Sequence, residues 1–157
     1  MTLLLTLTAG LLASEAVSDP IVQAVEQVES SGRGALTPDG DGGLARGPLQ
    51  WHAVAWKDCS ALRRKVGLPV YPYADARNPS KARDYARTWL TALKVRLAEQ
   101  IGRQPFPGEI WLAWNLGWSG FSRYGFSWAS VPRAKFDKAR QVNSLAWGLP
   151  NRKPSAR

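Results

Sequence analysis

Glu29, Asp39, Asp41, Gln50 and Asn115 are the residues whose types and spacing could do chemistry. Glu29 says the most. Reading back from it, Val28, Val25, Val22 and Ile21 stand one, four, seven and eight residues away, the spacing of a single buried helix face. That pattern turns the Glu29 carboxyl toward the apolar side of a helix that stops at Ser30-Ser31-Gly32. A carboxylate at the C-terminal end of a helix meets the negative end of the macrodipole, and burial adds desolvation; both favour the protonated acid. An acid that holds its proton near neutral pH can protonate a leaving oxygen, which is the general-acid step of glycoside cleavage.

A second carboxylate follows on a flexible turn, Gly40-Asp41-Gly42-Gly43, with Asp39 as the alternative. Two facing carboxylates are the usual equipment of a glycosidase, although aspartates in Pro-Asp-Gly-Asp-Gly also suit plain turn chemistry. Gln50, at the end of Gly47-Pro48-Leu49-Gln50, offers a donor and an acceptor to sugar hydroxyl or acetamido groups. Asn115 stands among aromatics and glycines in LAWNLGWSGFSRYG, residues 112–125. Carbohydrate sites are commonly built from aromatic faces plus a few polar groups, so Trp114, Trp118 and Tyr124 are candidate sugar platforms, with core packing as the competing role.

These side chains need a helical frame. Asp19-Pro20 opens the helix that ends at Ser31, with Gly32 expected in the left-handed C-cap conformation. Residues 32–47 hold six glycines and read as loop or tight hairpin. A helix-compatible stretch runs from Trp51 or His52 to about Val66, and an irregular, proline- and tyrosine-containing connection follows. Asn78-Pro79 caps the longest helix, Ser80 to Ile101, whose apolar residues recur every three or four positions. Pro107 and Glu109 open a short helix from Ile110 to Leu116, then a glycine- and aromatic-rich loop, then a last helix from Pro132 to before Gly148. The expected fold is therefore mainly α, of the α+β kind, built around one long central helix with a small Gly-rich hairpin near residues 33–50.

Composition agrees with one domain. At 157 residues, 45% hydrophobic and with eight tryptophans, the chain can bury a real core. Cys59 is the sole cysteine and His52 the sole histidine, so neither a disulfide framework nor a metal site is expected, and no cofactor. Residues 1–16 carry an apolar run followed by Ser14-Glu15-Ala16, which resembles a signal peptide; the competing reading is a first core helix. Export, to the periplasm or outside the cell, is the expectation if the segment is cleaved. The catalytic domain would then be 17–147, with 148–157 a basic tail. Net charge is +9, and residues 123–157 alone hold eight Lys or Arg against Asp137. Such a surface favours a polyanionic partner. Nucleic acid is disfavoured because no reading motif accompanies the charge.

Beyond these physical readings, the run Val28-Glu29-Ser30-Ser31-Gly32, an Asp on a Gly turn, Gly47-Pro48-Leu49-Gln50 and Trp56-Lys57-Asp58-Cys59 together resemble the invertebrate-type (destabilase-like) lysozymes and their bacterial and phage relatives. Leu112-Ala113-Trp114-Asn115-Leu116-Gly117 also resembles the A-x-Y-N-x-G segment of lytic transglycosylases, whose E-S and G-x-x-Q motifs match Glu29-Ser30 and Gly47 to Gln50. The resemblance covers roughly residues 20–125. It implies a lysozyme-like fold and cleavage of the β-1,4 bond between N-acetylmuramic acid and N-acetylglucosamine in peptidoglycan, by a monomer with no integral membrane segment. It also implies Glu29 as general acid, Asp41 as second carboxylate, and Ser30, Gln50 and Asn115 as substrate contacts. With one cysteine the chain departs from the disulfide-rich animal enzymes toward the bacterial or phage branch. Where no carboxylate faces Glu29, the transglycosylase route applies. The rival class is a non-catalytic module that binds the cell wall or another polyanion.

Overall fold

The computed structural model describes residues 8–148. The expected basic tail, from 149 onward, and the first seven residues of the expected signal segment lie outside them. The fold is mainly helical, with one small sheet. In chain order the elements are α1 (Ala9–Ser14), α2 (Asp19–Glu29), β1 (Ala45–Arg46), β2 (Trp51–His52), α3 (Ala53–Lys65), α4 (Pro79–Ile101), α5 (Pro107–Asn115), α6 (Gly117–Ser122) and α7 (Arg133–Ala146), with short 3-10 helices in the connections α2–β1, α3–α4 and α6–α7. No helix among the described residues is long and apolar enough to cross a membrane.

The local signals explain most boundaries. Asn78 caps α4 by accepting from the Ser80 and Lys81 N–H groups at 3.0 and 3.2 Å, and Pro79 occupies the first helical position. Gly102 ends the helix in the left-handed region. Ser18, rather than Asp19, caps α2, which places Asp19 and Pro20 inside the first turn. At the other end of α2 both Ser31, with φ 52°, and Gly32, with φ 79° as expected, take positive φ; the Gly32 N–H reaches back to the Gln27 carbonyl at 2.9 Å. This 6→1 closure is a Schellman turn in which the left-handed conformation begins one residue earlier, at Ser31, than the glycine alone suggests.

Two expectations are corrected in detail. Trp51 begins no helix; it pairs with Arg46 in the antiparallel β1–β2 hairpin, and His52 caps α3. The hairpin thus reaches just past residue 50. Second, the stretch after Asn115 is not simply loop, since Gly117–Ser122 form α6. Gly47 shows why the hairpin has its shape: φ is +67°, and a Cβ there would lie 2.1 Å from the Ala76 carbonyl oxygen.

The main, aromatic-rich core gathers Val22, Val25 and Val28 of α2, Trp51, Trp56 and Tyr85, Leu90, Leu93 and Leu97 of α4, Trp111 and Leu112 of α5, and Ala139 and Val142 of α7. Trp56 stacks on Tyr85 with ring centroids 3.8 Å apart, and Trp51 meets Trp56 edge-on at 5.2 Å. α2 packs against both α4 and α7, and α5 lies against α4, α6 and α7. The α5–α7 approach is close. The Gly108 N–H donates to Asn143 Oδ1 at 2.6 Å, and a Cβ on Gly108 would sit 2.4 Å from the Ala139 carbonyl oxygen. That proximity brings the first turn of α7 within reach of residues at the far end of α5 and the end of α2.

Candidate active site

Glu29 closes α2 with its carboxyl half-buried. Two N–H groups converge on one of its oxygens: Trp111 Nε1 donates to Oε1 at 2.7 Å and Asn115 Nδ2 donates to the same atom at 3.1 Å. Trp111 and Asn115 are four residues apart on α5, which puts both on one helix face. Asn115 is itself held, because the Lys135 ammonium donates to its Oδ1. The result is a chain of contacts from α7 through α5 to the end of α2.

The electrostatics favour the neutral acid. Desolvation raises the Glu29 carboxyl above its ordinary range; the Trp111 and Asn115 hydrogen bonds and the more distant positive charges of Lys138 and Lys135 pull the other way without cancelling it. No arginine among the described residues pairs with it. The end of the apolar stripe on α2 thus carries a half-buried carboxyl on which desolvation acts.

The aspartates are elsewhere occupied. Asp41, on an exposed turn with φ 49°, pairs with His52 at 3.0 Å. Asp39 Oδ2 accepts from Arg77 Nη2 at 2.5 Å and Nε at 3.2 Å, and its Oδ1 accepts from Nε at 3.3 Å and from the Gly47 N–H at 3.4 Å. Arg77 accordingly holds the Asp39 carboxyl below its usual range. Neither aspartate is among the charges that act on Glu29. Both instead tie down the hairpin loop.

Gln50 needs correcting as a donor to substrate. Its Nε2 donates to the Gly47 carbonyl at 2.9 Å and to the Pro38 carbonyl at 3.1 Å, so both amide hydrogens are spent on holding the loop. Ser30 is also not presented to a ligand: it is 1% exposed, and its Oγ has no partner among the described residues. The Schellman turn folds it inward while Glu29 stays at the edge. Trp114 is half-buried and meets Trp51 edge-on at 4.5 Å, which is core packing. One face of Trp118 is covered by the Arg96 guanidinium, 3.7 Å from the ring centroid, and Phe126 lies 4.7 Å away. Tyr124 is half-buried against the same core. Of the expected set, the structure brings together Glu29 and Asn115.

Three residues of the site escaped the sequence reading. Trp111 was discoverable, since it stands one helical turn before Asn115. Lys135 was counted only as bulk charge, yet it shares the register of Ala139 and Val142, the buried stripe of α7. Lys138 lies three residues further on and acts on Glu29 through its charge.

No family model matches the chain, nor does any curated protein or solved structure.

Proposed function

We propose that the protein is a peptidoglycan-cleaving glycosidase in which Glu29 is the general acid, on a lysozyme-like fold. One observation carries this reading. Glu29 is a half-buried carboxyl bound through a single oxygen by two neutral donors, with burial holding it toward the protonated form. The substrate class rests on the resemblance to lysozymes and lytic transglycosylases, and on the basic C-terminal segment, which suits an anionic wall.

The single-carboxylate route is the one favoured within that class, because Asp39 and Asp41 are paired to Arg77 and His52. In it, Glu29 gives its proton to the glycosidic oxygen as the bond to the muramic C1 breaks. The resulting carboxylate then takes the proton of that sugar's own C6 hydroxyl as its oxygen bonds to C1. The acid is regenerated and the product is an internal anhydro sugar. A hydrolase would instead place a water oxygen on C1 and leave a reducing end.

Glu29→Gln preserves shape and removes the titrating proton. Purified peptidoglycan should then be cleared at least about a hundredfold more slowly. Undiminished clearing, with binding retained, would leave the wall-binding module as the correct reading. Mass analysis of the products separates the two chemistries, an anhydro end being lighter by one water. Export belongs to the same proposal. Removal of residues 1–16 would leave α2 to α7 whole, and amino-terminal sequencing of the secreted protein should begin near Val17.

A further inference from the structure

We infer that Lys135 is the positioning residue of the site: by holding Asn115 Oδ1 it fixes which way the carboxamide faces, and so leaves Glu29 Oε2 as the oxygen that gives and takes back the proton. The catalytic consequence rests on the function proposed above; the orientation itself does not.

The argument is one of donors and acceptors. The two ends of an asparagine carboxamide have nearly the same shape but opposite roles, C=O accepting and NH2 donating. A lysine ammonium has no acceptor, so the Asn115 end that meets Lys135 must be Oδ1. Nδ2 is thereby turned to Glu29 Oε1, where the Trp111 indole N–H also arrives. With both lone-pair positions of Oε1 filled by N–H donors, a proton on this carboxyl has to ride on Oε2. Were the carboxamide reversed, Asn115 Oδ1 would face the carboxylic acid and accept its proton in a hydrogen bond, holding it away from any leaving oxygen. Lys135 also carries charge that stabilises the carboxylate left after proton donation.

The other charged groups around the end of α2 do not supply this control. On α4, Arg83 is paired with Glu26 and Arg87 with Asp19. Arg33, after α2, donates to the Ser30 carbonyl at 3.3 Å. Lys138 on α7 is exposed and acts on Glu29 by charge alone.

The test compares Lys135→Met, Lys135→Gln, Lys135→Arg and Lys138→Met in the full chain, by NMR of the Glu29 carboxyl carbon, the Asn115 side-chain amide and the Trp111 indole N–H. Lys135→Met should shift the amide and indole resonances and move the Glu29 titration to higher pH. Lys135→Gln, whose carboxamide both donates and accepts, no longer dictates which end of Asn115 it meets, so it should also shift the amide resonances while raising the titration. Lys135→Arg should restore both. Lys138→Met should raise the titration as well, since its charge also acts on Glu29, but leave the amide unmoved. On peptidoglycan, Lys135→Met should lower kcat about tenfold to a hundredfold with little change in KM. An Asn115 amide indifferent to Lys135→Met, or a Lys135→Met spectrum no different from that of Lys138→Met, would overturn the inference. Failure of Glu29→Gln to reduce clearing would overturn the enzymatic reading and leave the NMR result to decide the orientation.

Discussion

Glu29 and Glu109 are both withdrawn from water and both engage α5, yet their surroundings make opposite chemistry. Glu109 is 1% exposed, lies in the first turn of α5, and accepts from Arg103 Nη2 and Nη1 at 2.7 and 2.9 Å and from the Phe106 N–H at 2.8 Å. It has a positive partner, and it sits at the positive end of a helix dipole. Glu29 sits at the negative end of α2 and is given only neutral donors. Glu26, one turn earlier on the same helix, repeats the Glu109 solution with Arg83 at 2.5 and 2.9 Å. Burial by itself therefore does not make an acid catalyst. The arginine, or its absence, separates a carboxylate paired to a cation from one that burial pushes toward the protonated form.

The strongest way to break this comparison is to neutralise both residues in turn. Glu29→Gln should cost at least about a hundredfold in peptidoglycan clearing, while Glu109→Gln should leave the rate per folded molecule close to native. Equal rate losses would erase the distinction. For stability the order reverses. Glu109→Gln should lower the unfolding free energy by about 2–3 kcal/mol in denaturant titration, from the lost charge-assisted hydrogen bonds.

The pH dependence sharpens the contrast further. Because the folded-state value of Glu29 is raised, its favourable contribution is complete below the ordinary carboxylate range and fades as pH rises through the raised value. Unfolding curves of the native protein and Glu29→Gln should accordingly diverge with rising pH, the variant gaining relative stability. A difference that grows toward acid would contradict the sign. In the rate profile the same group should set the basic limb, since activity needs the protonated form.

Trp111→Phe offers a smaller effect. It removes a donor that favours the carboxylate, so the basic limb should move to higher pH, with a rate loss on the order of tenfold. Ser30→Ala should change least. An unpaired buried hydroxyl is costly, so its removal should be neutral or stabilising by about 1 kcal/mol in thermal unfolding.

Much of this molecule was legible in the chain. The Asn78-Pro79 start and Gly102 stop of α4 are local signals, fixed by side-chain capping and by proline and glycine geometry, and they read correctly without any tertiary information. The turn of Glu29 toward the core followed from helical periodicity alone. What local reasoning missed were partners distant in sequence: Arg77 for Asp39, His52 for Asp41, the loop carbonyls for Gln50 and Arg96 for Trp118. Each of those residues looked available because its occupant could not be seen.

By itself, then, the sequence determined that a carboxyl would end α2 on its apolar side, because helix period and breaker residues act within a few positions. The tertiary structure alone decided what that carboxyl would meet. Gly108 lets α5 and α7 approach closely, and the packing of α2, α5 and α7 carries Trp111 and Asn115 to one oxygen of Glu29, across separations of 82 and 86 residues, and Lys135 to Asn115. The physical reason is that protonation depends on the charges and dipoles within a few ångströms, and chain order does not specify which those will be.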